Sequence, residues 1–146
     1  LDNPIRMMEI EEVAVKLARS VERDGMDEDN SLFFEQREDG TYTREKDFWP
    51  QAEAVVGYLN AYQITGNSWY AELALDLWEI IEQDFIDRTH GEWIYQRGPD
   101  GEISNAKNKV SEWKGPYHNS RTCMEIVRRV NSIMTDITDE FVEDPG

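Results

Sequence analysis

The chain has 146 residues, with 15 Lys and Arg against 31 Asp and Glu for a net charge of −16. That length suits one domain, and so negative a surface repels phosphate backbones and anionic lipid, which excludes nucleic-acid and membrane-surface roles. Five Trp, six Tyr and five Phe within a 39% hydrophobic composition are too many for a disordered chain, so the protein is expected to fold.

Ile10, Val13, Ala14, Leu17, Ala18 and Val21 recur at steps of three and four, which marks one face of a first helix. Asn3 as N-cap and Pro4 in the first turn start it, and Gly25 ends it. Leu32-Phe33-Phe34-Glu35, a turn at Glu38-Asp39-Gly40 and Tyr42 then read as a short hairpin. A second helix runs from about Pro50, with Ala52, Val55, Val56, Leu59 and Tyr62 on one face and Gly66 as its stop. Asn67 or Ser68 caps a third, which carries Ala71, Ala74, Leu75, Trp78, Ile81 and Phe85 and ends before Gly91. The second and third helices are therefore expected to form a tight antiparallel hairpin. Trp93-Ile94-Tyr95 leads to a second turn at Pro99-Asp100-Gly101, then to the Trp113 loop and a fourth helix bearing Met124, Val127, Val130 and Ile133. The stretch from Thr135 to Gly146 is acidic and unpatterned and is expected to be a mobile tail, leaving residues 1–134 as the folded part.

The order repeats itself: helix, aromatic hairpin with a D-G turn, Trp and Pro, then helix, with Gly40 and Gly101 at corresponding points. Repeated helix pairs with their long loops at one end describe an all-α fold, part of a helical solenoid or toroid. Four helices do not close a ring. A half-shell leaves apolar faces of its first and last helices uncovered, and self-association is expected to follow.

The loop end gathers the chemistry. In Trp113-Lys114-Gly115-Pro116-Tyr117-His118 a Trp, a Tyr and one of two histidines meet where a loop becomes a helix, whose first turn presents free backbone N–H groups. Phe48-Trp49-Pro50-Gln51-Ala52-Glu53 places aromatic, amide and carboxylate groups at another helix start. A histidine beside aromatic walls suits a sugar: His118 as acid or base, Trp49 and Trp113 stacked on pyranose faces, Glu53 beside them, and Arg121 holding hydroxyl or enediolate oxygens. Trp69, Trp78, Trp93, His90 and Cys123 read as structural.

A single cysteine rules out an internal disulfide, and one Cys with two His makes a structural zinc site unfavourable. No apolar run is long enough to span a bilayer, and no signal segment is read at the start. A soluble, cytoplasmic location is expected. The chain opens on Leu1 rather than Met and is read as cut from something longer.

The runs FWPQAEAVVGYLNAYQITG, LDLWEIIEQDFID, GEWIY and SEWKGPYHNSRTCMEIVRRV, in order and spacing, resemble the C-terminal third of the N-acylglucosamine 2-epimerase family, and within it the cellobiose 2-epimerases most. The resemblance spans nearly the whole chain up to about Met134. It implies part of a single (α/α)6 barrel acting on a mono- or disaccharide, in which histidines epimerise a ring-opened aldose at C2 through an enediolate without metal, nucleotide or other cofactor. It also implies that His118 is the family's C-terminal catalytic histidine, Trp113 the aromatic platform before it and Trp49 the tryptophan lining the sugar subsite. Gly115 stands where many relatives are expected to have Cys, a small-for-small change. The family's other signature, a histidine followed three residues on by a glutamate, has no counterpart, since His90 is followed by Trp93. The remaining catalytic histidines are placed upstream of Leu1, and the fragment alone is expected to be inactive.

Three other readings fit the residues. A mannose-type isomerase would use the same family scaffold. An (α/α)6 glycoside hydrolase would use Glu53 as one of two carboxylates, although no second acid is marked by a motif. A non-catalytic helical-repeat module would explain the helix pairs but not the aromatics gathered around His118.

Overall fold

The computed structural model describes residues 3–104 and 107–142, with side chains through 138. Helix α1 (Pro4–Ser20) starts where Asn3 turns the chain: its Oδ1 accepts from the N–H groups of Ile5 and Arg6 at 3.1 and 3.4 Å. The helix widens into a π-helical turn over Val21–Gly25, the expected end. A hairpin follows, β1 (Glu35–Gln36) against β2 (Tyr42–Thr43), as the D-G turn predicts. Gly40 sits there at φ +83°, which glycine adopts without steric cost, and Asp39 accepts from the N–H and hydroxyl of Thr41.

Strand β3 (Lys46–Asp47) leads directly into α2 (Phe48–Thr65), which begins two residues before Pro50. Gly66 stops α2 at φ +67°, donating to Tyr62 O, and Asn67 caps α3 (Ser68–Ile80) through the N–H of Trp69. A second π-helical turn, Ile81–Phe85, closes α3. Then comes β4 (Gln96–Arg97), and finally α4 (Tyr117–Val142). β4 pairs antiparallel with β3, placing Lys46 against Arg97 and Asp47 against Gln96. This pairing between the two loop systems is not legible as a hairpin, because its strands lie some fifty residues apart in the chain.

The core lies between α2 and α3. Phe48, Ala52, Val55, Tyr58 and Leu59 from one helix pack against Tyr70, Leu73, Ala74, Leu77, Ile81 and Phe85 from the other, with Trp93 at the edge. Of the stripe read for α2, Ala52, Val55 and Leu59 are buried and Val56 and Tyr62 half-buried, but that for α3 is rotated: Leu75 is 63% exposed, and Leu73 and Leu77 point inward in its place. The stripes read for α1 and α4 also need correction. Of the first, only Ala18 is buried, together with Val15, while Ile10, Val13 and Leu17 are exposed. On α4, Met124, Val127 and Val130 are exposed, and the helix rests on α2 and the core through Thr122, Ile126 and Arg129. The physical reason is the same at both ends: α1 and α4 each pack mainly on α2, with Arg19 of α1 also reaching the Tyr70 hydroxyl of α3 at 3.4 Å, so their remaining apolar sides stay open. Helix α4 also runs on to Val142, through part of the stretch expected as an unpatterned tail; residues 143–146 lie outside those described.

The two loop systems repeat in three dimensions. Each has a carboxylate just after the π-helical turn, held by a lysine that precedes the next helix: Asp27 with Lys46 at 2.6 Å, and Asp87 with Lys109. The lysine neighbours and backbone N–H bonds overcome burial and hold both carboxyls below the usual carboxylate range.

Candidate functional site

Helices α2 and α4 lie side by side, with their first turns at the loop end. Thr122, buried, fixes the spacing by donating its hydroxyl to Ala52 O at 3.1 Å. The start of α2 is anchored by the buried Gln51 side chain, which accepts from Leu32 N at 2.8 Å and donates to Leu32 O at 2.9 Å. Between these first turns, His118 Nδ1 lies 2.7 Å from Glu53 Oε1. Arg121, one turn further along α4, donates Nη2 to the other oxygen, Oε2. Its guanidinium carbon sits 5.3 Å from the centroid of the Tyr117 ring, while its Nε is buried with no partner among the described residues.

Aromatic rings enclose the imidazole. Trp49 lies 5.8 Å away, centroid to centroid, at 38°; Phe48 and Tyr117 meet it edge-on at 6.2 and 5.1 Å. Trp49 and Glu53 also line a groove of about 390 Å³ against α1, whose wall includes Leu17, Ala18, Gly57 and Tyr58. Nδ1 is engaged by a carboxylate, and no hydrogen bond occupies Nε2 among the described residues. With the proton on Nδ1, the tautomer the carboxylate selects, Nε2 carries the free lone pair and is the nitrogen able to take a proton.

The structure thus brings together Trp49, Glu53, His118 and Arg121. Trp113 stands apart: its indole is 81% exposed on the loop before α4. Both Glu53 oxygens are already taken by His118 and Arg121, which makes Glu53 a support for the imidazole more than a free sugar contact. Trp93 is buried, Trp78 lies tilted against it with ring centroids 6.3 Å apart, and the Trp69 indole donates to Glu22 at 2.7 Å. His90 is exposed and bonded to Asp87, and Cys123 is free and exposed.

Residues the sequence did not single out complete the setting. Lys114, wholly buried, donates to Glu92 Oε1 at 2.8 Å and to Trp93 O at 2.7 Å, with its ammonium 4.6 Å from the Phe48 ring centroid. Asn119 donates to the same Glu92 oxygen at 2.7 Å. Burial pushes the Glu92 carboxyl up, but Lys114, the Trp93 N–H and Asn119 together outweigh it and hold it below the usual range. A buried lysine has no sequence signature, and only its place in the Trp-Lys-Gly-Pro-Tyr-His run pointed toward it. Among the described residues, no group of three His, Cys, Asp or Glu is placed to hold a metal, and no helix is long and apolar enough to cross a membrane.

The family model for N-acylglucosamine 2-epimerase (GlcNAc 2-epimerase) matches residues 5–121. The chain belongs to this family. A cellobiose 2-epimerase of Bacteroides fragilis is 34% identical over 120 residues, covering 82% of this chain and 30% of that protein. One of Dictyoglomus turgidum is 35% identical over 131 residues, covering 89% and 33%. The solved cellobiose 2-epimerase of Spirochaeta thermophila superposes with a TM-score of 0.75 at 37% identity, over 90% of this chain and 32% of that one. The chain therefore spans about a third of the length of the N-acylglucosamine 2-epimerase family members it matches. Those structural relatives are (α/α)6 barrels, and the four helices here are part of one.

Proposed function

We propose that the chain is the C-terminal portion of a sugar 2-epimerase of the cellobiose 2-epimerase kind, and that His118 moves the proton at C2 of the substrate. The observation that carries this reading is the His118 imidazole held by Glu53 at 2.7 Å beside the Trp49 face, with Nε2 free. In a ring-opened aldose, or the open reducing end of a β-1,4-disaccharide, the C2–H is acidified by the C1 carbonyl. Nε2 takes that proton, the C–H electrons pass into the carbonyl, and an enediolate forms. Return of a proton to the opposite face of C2 gives the epimer, and this requires a second group across the sugar. Glu53 fixes the tautomer and steadies the imidazolium, Arg121 supports Glu53 and turns the exposed part of its guanidinium toward substrate oxygen, and Trp49 stacks on a pyranose ring. Trp113, exposed on the loop before α4, offers a second ring face to the sugar.

His90, bonded to Asp87 in an exposed turn, is not placed as the second base. The chain alone is expected to bind sugar weakly and to give no epimer. NMR of the 15N-labelled chain titrated with cellobiose tests this reading. Shifts are expected at the Trp49 indole and the His118 ring and not at Trp69 or Trp78. Shifts at none of these, or equally at all four tryptophan and histidine probes, would sink it. The open sides of α1 and α4 are proposed to drive association of the isolated chain, so light scattering is expected to give a mass above the 17.1 kDa of one copy, and a clean monomer would refute that.

A further inference from the structure

Glu92 occupies the turn between α3 and β4 with φ +60°, a left-handed backbone rarely adopted by a residue with a long side chain. Its Oε1 accepts from three donors: Trp93 N at 3.0 Å, Lys114 Nζ at 2.8 Å and Asn119 Nδ2 at 2.7 Å. Lys114 and Asn119 bracket the turn from loop to helix that carries His118. One carboxylate oxygen therefore ties down both ends of that turn, and Lys114 adds a bond to Trp93 O and a contact with Phe48, the ring that meets His118 edge-on.

The first loop system shows that the repeat does not need this arrangement. There the same task, anchoring the first turn of the inner helix to the strand segment before it, falls to the neutral Gln51 amide, which grips both the N–H and the C=O of Leu32. The ion pairs common to both loop systems are Asp27 with Lys46 and Asp87 with Lys109. The Glu92–Lys114–Asn119 group is an addition in the unit that carries the histidine. A buried ion pair is a poor source of net stability, because desolvation offsets its attraction, but its directional bonds permit one arrangement only. A proton-transfer group needs that kind of fixed first turn, since its geometry must hold within about 0.5 Å.

We propose that Glu92, acting through Lys114 and Asn119, is a positioning residue that holds the first turn of α4 so that His118 Nδ1 faces Glu53. The proposal rests on His118 being the proton-transfer group, yet its test reads the imidazole directly and not the reaction. In 15N NMR of the chain at a pH where His118 is neutral, its ring is expected to be a single Nδ1–H tautomer, with exposed His90 as internal reference. Glu92→Gln keeps the shape of the side chain and removes the charge that Lys114 needs. It is expected to turn His118 into a mixture dominated by the Nε2–H form, as in free imidazole, while His90 is unchanged. Asn119→Ala, which leaves the Lys114 pair intact, is expected to give a smaller change in the same direction, and it decides the matter if Glu92→Gln loses its helical far-UV signal. An unchanged His118 tautomer in a folded variant overturns the proposal, as does a parent chain whose His118 is not in the Nδ1–H form. A tautomer change with no response to cellobiose would uphold the clamp and defeat the epimerase reading, so the two can fail separately.

Discussion

His118→Asn is expected to lower kcat for cellobiose epimerisation by about 10²–10⁴-fold, the usual contribution of a positioned acid or base, with KM little changed. The measurement needs a complete barrel, and the Bacteroides fragilis relative supplies one if residues 5–121 of this chain replace its matching segment. Asparagine keeps a polar group near Glu53 and Arg121, so the first turn of α4 retains much of its bonding while the proton acceptor is gone. A loss confined to kcat is therefore the signature of a group that acts in the transition state, whereas a group that only binds sugar would raise KM. Glu53→Gln in the same graft is expected to cost less and to move the pH profile, because it removes the charge that steadies the imidazolium and leaves the imidazole in place. A fall of less than tenfold for His118→Asn would remove His118 from the chemistry.

The residues that make this site were legible to different degrees, for physical reasons. Asn3, Gly66 and Asn67 declare themselves because caps and left-handed stops are local, set by one side chain and its own backbone. The D-G turns at Gly40 and Gly101 are equally local, with both glycines at positive φ. His118, Trp49 and Arg121 were reached through their place at helix starts, yet the link that joins them, Glu53 bridging α4 from α2, spans 65 to 68 residues and has no local sign. Periodicity located α1 and α4 but not their surroundings. An apolar stripe reports that a helix has a face to bury, and Val13, Leu17, Met124 and Val127 remain exposed because the surfaces that would cover them are not among these four helices. The β3–β4 pairing and the buried Lys114 were out of reach for the same cause: each depends on which loops meet in space. A buried ammonium in particular contradicts what its residue type predicts until its carboxylate is known.

Phe48→Ala is expected to lower stability by about 3–5 kcal/mol, the cost of emptying a well-packed aromatic site, which for a chain of this size corresponds to a fall in Tm of roughly 6–20 °C. The ring is 1% exposed and sits at the junction of every part of the site: edge-on to Trp93, Tyr95 and His118 at 6.4, 5.8 and 6.2 Å, with the Lys114 ammonium 4.6 Å from its centroid. Its removal leaves a cavity between the two loop systems and deprives a buried cation of an aromatic face. Phe85→Ala is the comparison. That ring is also 1% exposed, but it lies in the α2–α3 core with no ring contact to His118, so its loss is expected to lower Tm by a similar amount. The two variants are separated by the His118 ring signal, which Phe48→Ala should broaden or shift and Phe85→Ala should leave in place. Thermal unfolding followed by circular dichroism, with the imidazole resonances recorded below the transition, reads both quantities. A Phe48→Ala chain whose Tm falls by less than about 2 °C would show that the ring is not packed as described, and equal effects of both variants on His118 would mean that the imidazole responds to general loosening of the core and not to the ring beneath it.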